Sequence, residues 1–374
     1  MTHRTSPKYR AAIVGTGGIA TAHAAALTEL AGRIELVGAV DLDPARAATF
    51  AEKWSVAHTF PDLAGLLAAE ELDLVHICTP PGSHVPLAIE CLRAGVVPLI
   101  EKPPALSLAE MDELAAVEKE TGVPVLTVFQ HRFGSGAVRL RSLLQEGVLG
   151  RPLLASANTL WYRDADYFSL PWRGNWDVEG GGPTMGHGIH QFDLLLSILG
   201  DWEEVTAVAG RQSRPTDTED VSVALVRFAS GAIATVINSV VSVRETSHLR
   251  FDFENASVEL DHLYGYGNRD WTVTGIGEDT SVQEAWNDNL PDEASGHSSQ
   301  IAAILDALDA GTAPGVSLSA ARNTMEFVAA VYASSFTGRR VLRGEIAPGD
   351  PFYSSMLGSG APWLVSAEEA GVLR

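Results

Sequence analysis

The stretch GGGPTMGHGIHQFD, residues 180–193, carries His187, His190 and Asp193 at three-residue spacing. On a helix that spacing brings all three close to one face. Two imidazoles and a carboxylate so arranged can bind a metal, act as acid and base, or form a buried polar network. No cysteine or glutamate near them completes a familiar zinc spacing, so no metal is expected here. An imidazole with a pKa near neutrality is suited to taking a proton from a hydroxyl, a role open to either histidine.

A second stretch, AAIVGTGGIATAHAAAL, sets Gly15, Thr16, Gly17, Gly18, Ile19 and Ala20 between an apolar strand-like run and an alanine-rich helical pattern. This is the G-x-G-x-x-A form of a dinucleotide-binding turn. Its first glycine permits the tight turn, its second lets backbone approach a pyrophosphate, and the alanine keeps helix close to strand. The helix N-terminus then offers unpaired N–H groups and partial positive charge to phosphates. Asp41 follows 26 residues after Gly15, at the end of the next strand. A carboxylate there accepts both ribose hydroxyls of NAD and repels the extra phosphate of NADP. Asp43, before Pro44, suits a helix cap instead. Arg46, one turn into that helix, keeps NADP open as the lesser alternative, and NAD is the cofactor expected.

The elements that must position these groups fall into two rhythms. From Tyr9 to about Val128, apolar runs (AAIVG, ELVGAV, DLVHICT, VVPLI, VPVLTV) alternate with helical patterns at 18–30, 44–53, 84–94 and 107–121. Strands apolar on both faces, alternating with helices, predict a doubly wound parallel sheet, a Rossmann dinucleotide-binding domain over residues 1–132. After about Phe133 the chain reads as an α+β domain, residues 133–345. Its strand candidates are LLASANTLWYR, EEVTAVAG, VSVALVRF, AIATVINSVVSV, HLRFDF and ASVEL, with hairpin turns at 229–231 and 254–256. Helices are expected at 134–149, 186–199, 298–310 and 318–336, and residues 346–374 read as an extended tail.

LIEKPPALS places Glu101, Lys102 and Pro103 at the carboxyl end of a buried strand, where open α/β sheets hold ligands. Together with ICTPPGSHVPLAIECLRAG, this resembles the family of glucose–fructose oxidoreductase, inositol 2-dehydrogenase and the rhizopine-catabolism oxidoreductases, the Gfo/Idh/MocA family. The resemblance spans roughly residues 9–340 and rests on motifs in the same order. These are the loop Gly15 to Ala20, Thr79-Pro80-Pro81 with His84, Glu101-Lys102-Pro103, FQHRF at 129–133 and the glycine-led helix GGGPTMGHGIHQFDLL. It implies that Lys102 and His190 meet the reacting hydroxyl. It further implies that Thr79, Pro80, His84 and Glu101 serve the cofactor, and that the second domain is a large open-faced mixed sheet packing on another subunit, in a homo-dimer or homo-tetramer. This chain departs from the pattern at Gly186, where many relatives carry an aspartate. His187 either substitutes for that acid or contacts substrate.

The segment TLWYRDADYFSLPWRGNWDVEGGGP is rich in rings and guanidinium groups. Aromatic faces stack on sugar rings and guanidiniums donate to hydroxyls or carboxylates, so Trp161, Arg163, Trp172, Arg173 and His187 are the expected substrate contacts. The expected activity is oxidation of a secondary hydroxyl of a sugar, cyclitol or sugar acid, or the reverse reduction. Lys102 would stabilise the alkoxide and His190 would serve as acid/base. Two alternatives remain: a redox-neutral glycosidase or epimerase-like enzyme of the same family, and a non-catalytic NAD-binding regulator.

Bulk properties agree with this reading. The 374 residues exceed what one core usually serves. Acidic residues outnumber basic ones 47 to 26, a formal charge of −21 that disfavours nucleic acid and anionic membrane as partners. Two cysteines, Cys78 and Cys91, are too few for a disulfide framework. No apolar leader or run of about 18 apolar residues is visible, so a cytoplasmic protein is expected.

Overall fold

The computed structural model describes residues 8–170, 172–262, 264–313 and 315–364, so the last ten residues of the expected tail lie outside the described residues. In chain order it runs β1 (Tyr9–Val14), α1 (Ala20–Glu29), β2 (Ile34–Val40), α2 (Pro44–Trp54), β3 (His58–Phe60), α3 (Leu63–Ala69), β4 (Leu74–Ile77), α4 (His84–Arg93), β5 (Val97–Ile100), α5 (Leu108–Thr121) and β6 (Leu126–Thr127). Then come α6 (Ser135–Gln145), β7 (Pro152–Tyr162), α7 (Trp176–Glu179), a π-helical turn (Thr184–Gly188) and α8 (Ile189–Leu199). The remainder is β8 (Trp202–Gly210), β9 (Val221–Phe228), β10 (Ile233–Ser239), β11 (Val241–Phe253), β12 (Ala256–Leu260), β13 (Trp271–Gly275), α9 (Ser281–Asn287), α10 (His297–Ala310), α11 (Leu318–Thr337), β14 (Val341–Leu342) and α12 (Pro351–Ser354).

By compactness the chain divides into two units, residues 8–105, 110–130 and 296–321 in one, and 106–109, 131–295 and 322–364 in the other. The first contains a six-stranded parallel sheet in the order β3-β2-β1-β4-β5-β6. Its central strands are buried on both faces, which is why they read as continuous apolar runs. The pair β3 and α3 has no counterpart in the sequence reading, because three residues, HTF, are too few to show a period.

Residues 296–321, expected within 133–345, belong to this first unit. Ile301, Ile304 and Leu305 of α10 join one core with Ala20, Ala24 and Leu27 of α1 and with Ile13, Leu99 and Leu126 of the sheet. Gln300 fastens the helix to the end of β6, accepting from the Phe129 N–H and donating to the Thr127 carbonyl.

The second unit is built on an eight-stranded mixed sheet, β13-β12-β11-β7-β10-β9-β8-β14, in which β7 and β10 run parallel and the other neighbours antiparallel. The two expected hairpins are β9–β10 and β11–β12. AIATVINSVVSV, read as one strand, is broken at Val240. There the backbone N–H goes to Asp220 and the carbonyl to Arg163, and the chain re-enters the sheet as β11 on the other side of β7. HLRFDF is the far half of that same strand. One face of the sheet alternates cleanly: Ser222, Ala224, Val226 and Phe228 of β9 are buried, while Val223, Leu225 and Arg227 are exposed. Val208, Ile233 and Leu154 share that exposure. The described part of the tail is not a free arm: Phe352 and Met356 are buried, and the Trp363 indole donates to the Asp217 carbonyl.

Because Leu305 is fully buried in the nucleotide-binding unit's core, Leu305→Ala should cost roughly 2–5 kcal/mol in denaturant unfolding of that unit. A loss below about 0.5 kcal/mol, the size of a surface change, would contradict the packing described.

Candidate active site

The turn from β1 into α1 is tight by necessity. Gly15 has φ +86, and a Cβ there would stand 2.8 Å from Thr79 Cγ2 and 2.9 Å from the Cys78 carbonyl. Gly17 and Gly18, by contrast, have nothing within 4 Å of an added Cβ. With Ile19 they are exposed, and α1 begins without a side-chain cap. Open backbone at an uncapped helix N-terminus suits a pyrophosphate.

Asp41 is the hub beside that turn. Its carboxylate accepts from the Thr16 N–H (2.9 Å) and hydroxyl (2.7 Å), from the Asp43 N–H (2.9 Å), and from Arg46 Nε (3.0 Å) and Nη2 (2.9 Å). Burial alone would raise this carboxyl, but the Arg46 guanidinium, the Asp43 N–H and Thr16 more than offset it and hold it at about 2. Asp43 is indeed the α2 cap, accepting from the Ala45 and Arg46 N–H groups.

At the end of β5 stands Glu101, buried and ionised. Oε1 accepts from His23 Nε2 (2.9 Å) and His297 Nε2 (3.1 Å), and Oε2 from the Lys102 N–H (3.1 Å). Burial opposes its charge, yet the two imidazoles hold the carboxyl well below its ordinary range. Burial also lowers His23 and His76, so both rings are neutral. His23 therefore donates from Nε2 to Glu101 and accepts at Nδ1 from His76 Nδ1–H, 2.8 Å away. His23, Glu101 and His297 are also the group whose potential ligand atoms gather within 4.8 Å among the described residues. Contacts near 3 Å to one oxygen are those of hydrogen bonds, and they account for all three.

His84, buried on α4, sets its two ring nitrogens 2.8 Å from the backbone carbonyls of Pro103 and Thr79, one of which takes the single N–H of the neutral ring that burial favours. Like Glu101 it braces the strand ends from within. Both residues, expected at the cofactor, stand at the ends of the strand and turn that would face it, with these polar atoms engaged by the protein. Thr79 and Pro80 lie on the turn that His84 ties down.

In the second unit the histidines stand on a π-helical turn running into α8, an element frequent at functional sites. Gly182, before that turn, is required by proximity: a Cβ there would fall 2.0 Å from the Glu219 carbonyl oxygen. Buried Glu219 fastens the loop, accepting from the Gly182 N–H (3.1 Å), the Thr184 N–H (3.0 Å) and the Tyr332 hydroxyl (2.9 Å). Asp193 does not join the histidines. It is taken by Arg132 and by the Thr324 hydroxyl.

His190, buried, meets the His131 ring edge-on at 4.8 Å and the Tyr264 ring at 5.4 Å. His187 is met edge-on by Trp161 (5.0 Å), and its Nε2 lies 3.2 Å from the Tyr167 hydroxyl. Trp161 also contacts Tyr264 at 5.8 Å, so the rings of 131, 190, 264, 161, 187 and 167 form one continuous wall. Arg163 stacks on Trp161 and pairs with Glu245. Arg173 stacks on Tyr167 and Trp172 and pairs with Glu179. The expected substrate residues are thus brought together, though both guanidiniums already have carboxylate partners. His131, Tyr264, Glu179 and Glu219 escaped the sequence reading, while Tyr167 belongs to the ring-rich segment already singled out but was not among the expected contacts. His131 stood inside the quoted FQHRF motif, whereas Tyr264 sits in DHLYGYGN, which has no period to mark it.

Fold and nucleotide turn together define an oxidoreductase with a Rossmann NAD-binding domain and a mixed-sheet second domain. Residues 9–129 match the family described as oxidoreductase family, NAD-binding Rossmann fold, and residues 137–259 match the GFO/IDH/MocA C-terminal domain, so the chain belongs to the Gfo/Idh/MocA oxidoreductases. It is 27% identical over 273 residues to D-apiose dehydrogenase of Paraburkholderia graminis, spanning 71% of this chain and 68% of that one. With D-glucoside 3-dehydrogenase of Escherichia coli it shares 31% identity over 199 residues, 52% of this chain and 55% of the relative. The WlbA dehydrogenase of Chromobacterium violaceum, solved with NADH and UDP-GlcNAcA, superposes with a TM-score of 0.81 at 25% identity, covering 92% of this chain and 98% of that one. Among the described residues no helix is long and apolar enough to cross a membrane.

Burial raises the Glu219 carboxyl from 4.5 to about 7, against the lowering effect of Thr184, Tyr332 and Gly182. Between those values the folded protein keeps a proton that the unfolded chain has released, so stability declines as pH rises through the window. Relative to Glu219→Gln, the protein should lose on the order of 3 kcal/mol from about pH 5 to pH 8. Thermal unfolding of both across that range tests this, and a pH-independent difference would contradict it.

Proposed function

We propose that this protein is an NAD(H)-dependent dehydrogenase that oxidises a secondary hydroxyl of a sugar, cyclitol or sugar acid, or catalyses the reverse reduction. The observation that supports it best is the wall of rings and stacked guanidiniums around His187 and His190, which suits the apolar face and hydroxyls of a carbohydrate. The relatives named for apiose and glucoside oxidation favour the same substrate class.

In this reading the backbone at Gly17 and Gly18 and the N-terminus of α1 hold the pyrophosphate, and Asp41 takes the ribose hydroxyls. NAD, when bound, supplies a two-electron hydride acceptor. His190 accepts the hydroxyl proton. Lys102, its backbone fixed by Glu101, presents a positive charge to the oxygen as it becomes an alkoxide. Trp161, Arg163, Trp172, Arg173 and His187 orient the ring of the substrate. The exposed apolar sheet face with Val208, Val223, Leu225 and Ile233 is the surface for a second copy, giving a dimer or tetramer. Buried free thiols at Cys78 and Cys91 suit the reducing cytoplasm.

Two measurements test this. Lys102→Met should leave NAD affinity within about threefold while turnover falls roughly 10²–10⁴-fold; unchanged turnover would remove the lysine from the mechanism. Asp41→Ala should free the Arg46 guanidinium for a 2′-phosphate. It should raise the NADP-to-NAD ratio of kcat/KM at least about tenfold, and an unmoved ratio would contradict the role of Asp41.

A further inference from the structure

We propose that Glu179 is the acid of the histidine-bearing helix, a positioning residue whose carboxylate fills the space that a side chain at position 186 would otherwise occupy. The inference rests on reading this helix as the active-site helix of a dehydrogenase. Gly186 lies four residues before His190 and offers no side chain. A Cβ built at Gly186 meets a single atom within 4 Å, Glu179 Oε1, at 3.8 Å. The carboxylate therefore reaches this spot from α7, across the three glycines, rather than from the helix itself.

Glu179 is buried and its contacts run to a histidine. Oε2 accepts from the Gly174 N–H (2.6 Å) and Oε1 from Arg173 Nη1 (3.0 Å). Arg173 Nη1 also donates to the Tyr167 hydroxyl, whose oxygen is 3.2 Å from His187 Nε2. Arginine can only donate, so the tyrosine oxygen accepts from it while also meeting His187 Nε2, which couples the ring to Arg173 through the phenol. Arg163 also stacks on Tyr167, at 5.4 Å, so two guanidiniums crowd one phenol. Glu179 and Glu245 are the anions that neutralise them. Without Glu179, Arg173 is uncompensated and free to turn, and the orientation of Tyr167 and His187 against substrate is lost.

The test is relocation of the acid. Glu179→Ala should lower kcat roughly 10–100-fold with NAD affinity unchanged, the usual size for a displaced orienting group. Glu179→Ala with Gly186→Asp should recover kcat to within about threefold of the parent, because the alanine vacates the atom nearest the new side chain. Glu179→Gln, of the same shape but uncharged, should stay impaired. Full turnover in Glu179→Gln would overturn the proposal, as would a folded, NAD-binding Glu179→Ala protein that Gly186→Asp fails to rescue. Should Glu179→Ala not fold, Glu179→Gln alone decides. Lys102→Met separates the two levels: if it leaves turnover intact the dehydrogenase reading fails, whereas loss there with no effect at Glu179 rejects only the present inference.

Discussion

A single buried charge organises the carboxyl edge of the parallel sheet. Glu101 is almost out of water, and an isolated carboxylate so placed would cost several kcal/mol and take up a proton. It stays ionised because His23 from α1 and His297 from α10 both donate to Oε1 while the Lys102 N–H donates to Oε2. The pairing explains why a helix from late in the sequence returns to the first unit: α10 delivers the second imidazole, and its apolar face closes the core over α1. It also fixes tautomers two rings deep, through His23 to His76, whose Nε2 has no hydrogen-bond partner among the described residues. The result is a lysine whose backbone is pinned beside a permanent negative charge.

The second unit meets its own constraint by close approach. Gly182 packs against the backbone of Glu219, and that residue's carboxylate holds the loop by two N–H groups and one phenol. This locks the π-helical turn that carries His187 and leads into α8, where His190 stands, and both rings meet the aromatic wall. Asp193, which shares their spacing in sequence, points to Arg132 and Thr324 instead, so helical spacing alone overstated the cluster.

Much of this was legible in the sequence because it is written in local patterns. The turn at Gly15, the cap at Asp43, the buried strands and the antiparallel hairpins each need only a few neighbouring residues. Most strands of the two sheets followed; β3 and β14 are too short to show a period, the edge strand β13 was not read, and one strand-like run is broken at Val240, whose N–H donates to the Asp220 carbonyl and whose carbonyl accepts from the Arg163 N–H. What stayed hidden depends on distant partners. Nothing near Glu101 announces His23 or His297, and nothing near Gly186 announces that an acid seven residues earlier folds back to cover it. The internal partners of Glu101 were equally hidden from the resemblance, since His23 and His297 are elsewhere in the chain.

The central claim is hydride transfer from a carbohydrate-like hydroxyl. It is tested most directly by supplying NAD⁺ with a panel of sugars, cyclitols and sugar acids and following NADH absorbance alongside product analysis. The account predicts that at least one member yields NADH in equal amount to a keto product. Product formed without net NADH, or tight NAD binding with the whole panel left untouched, would contradict it.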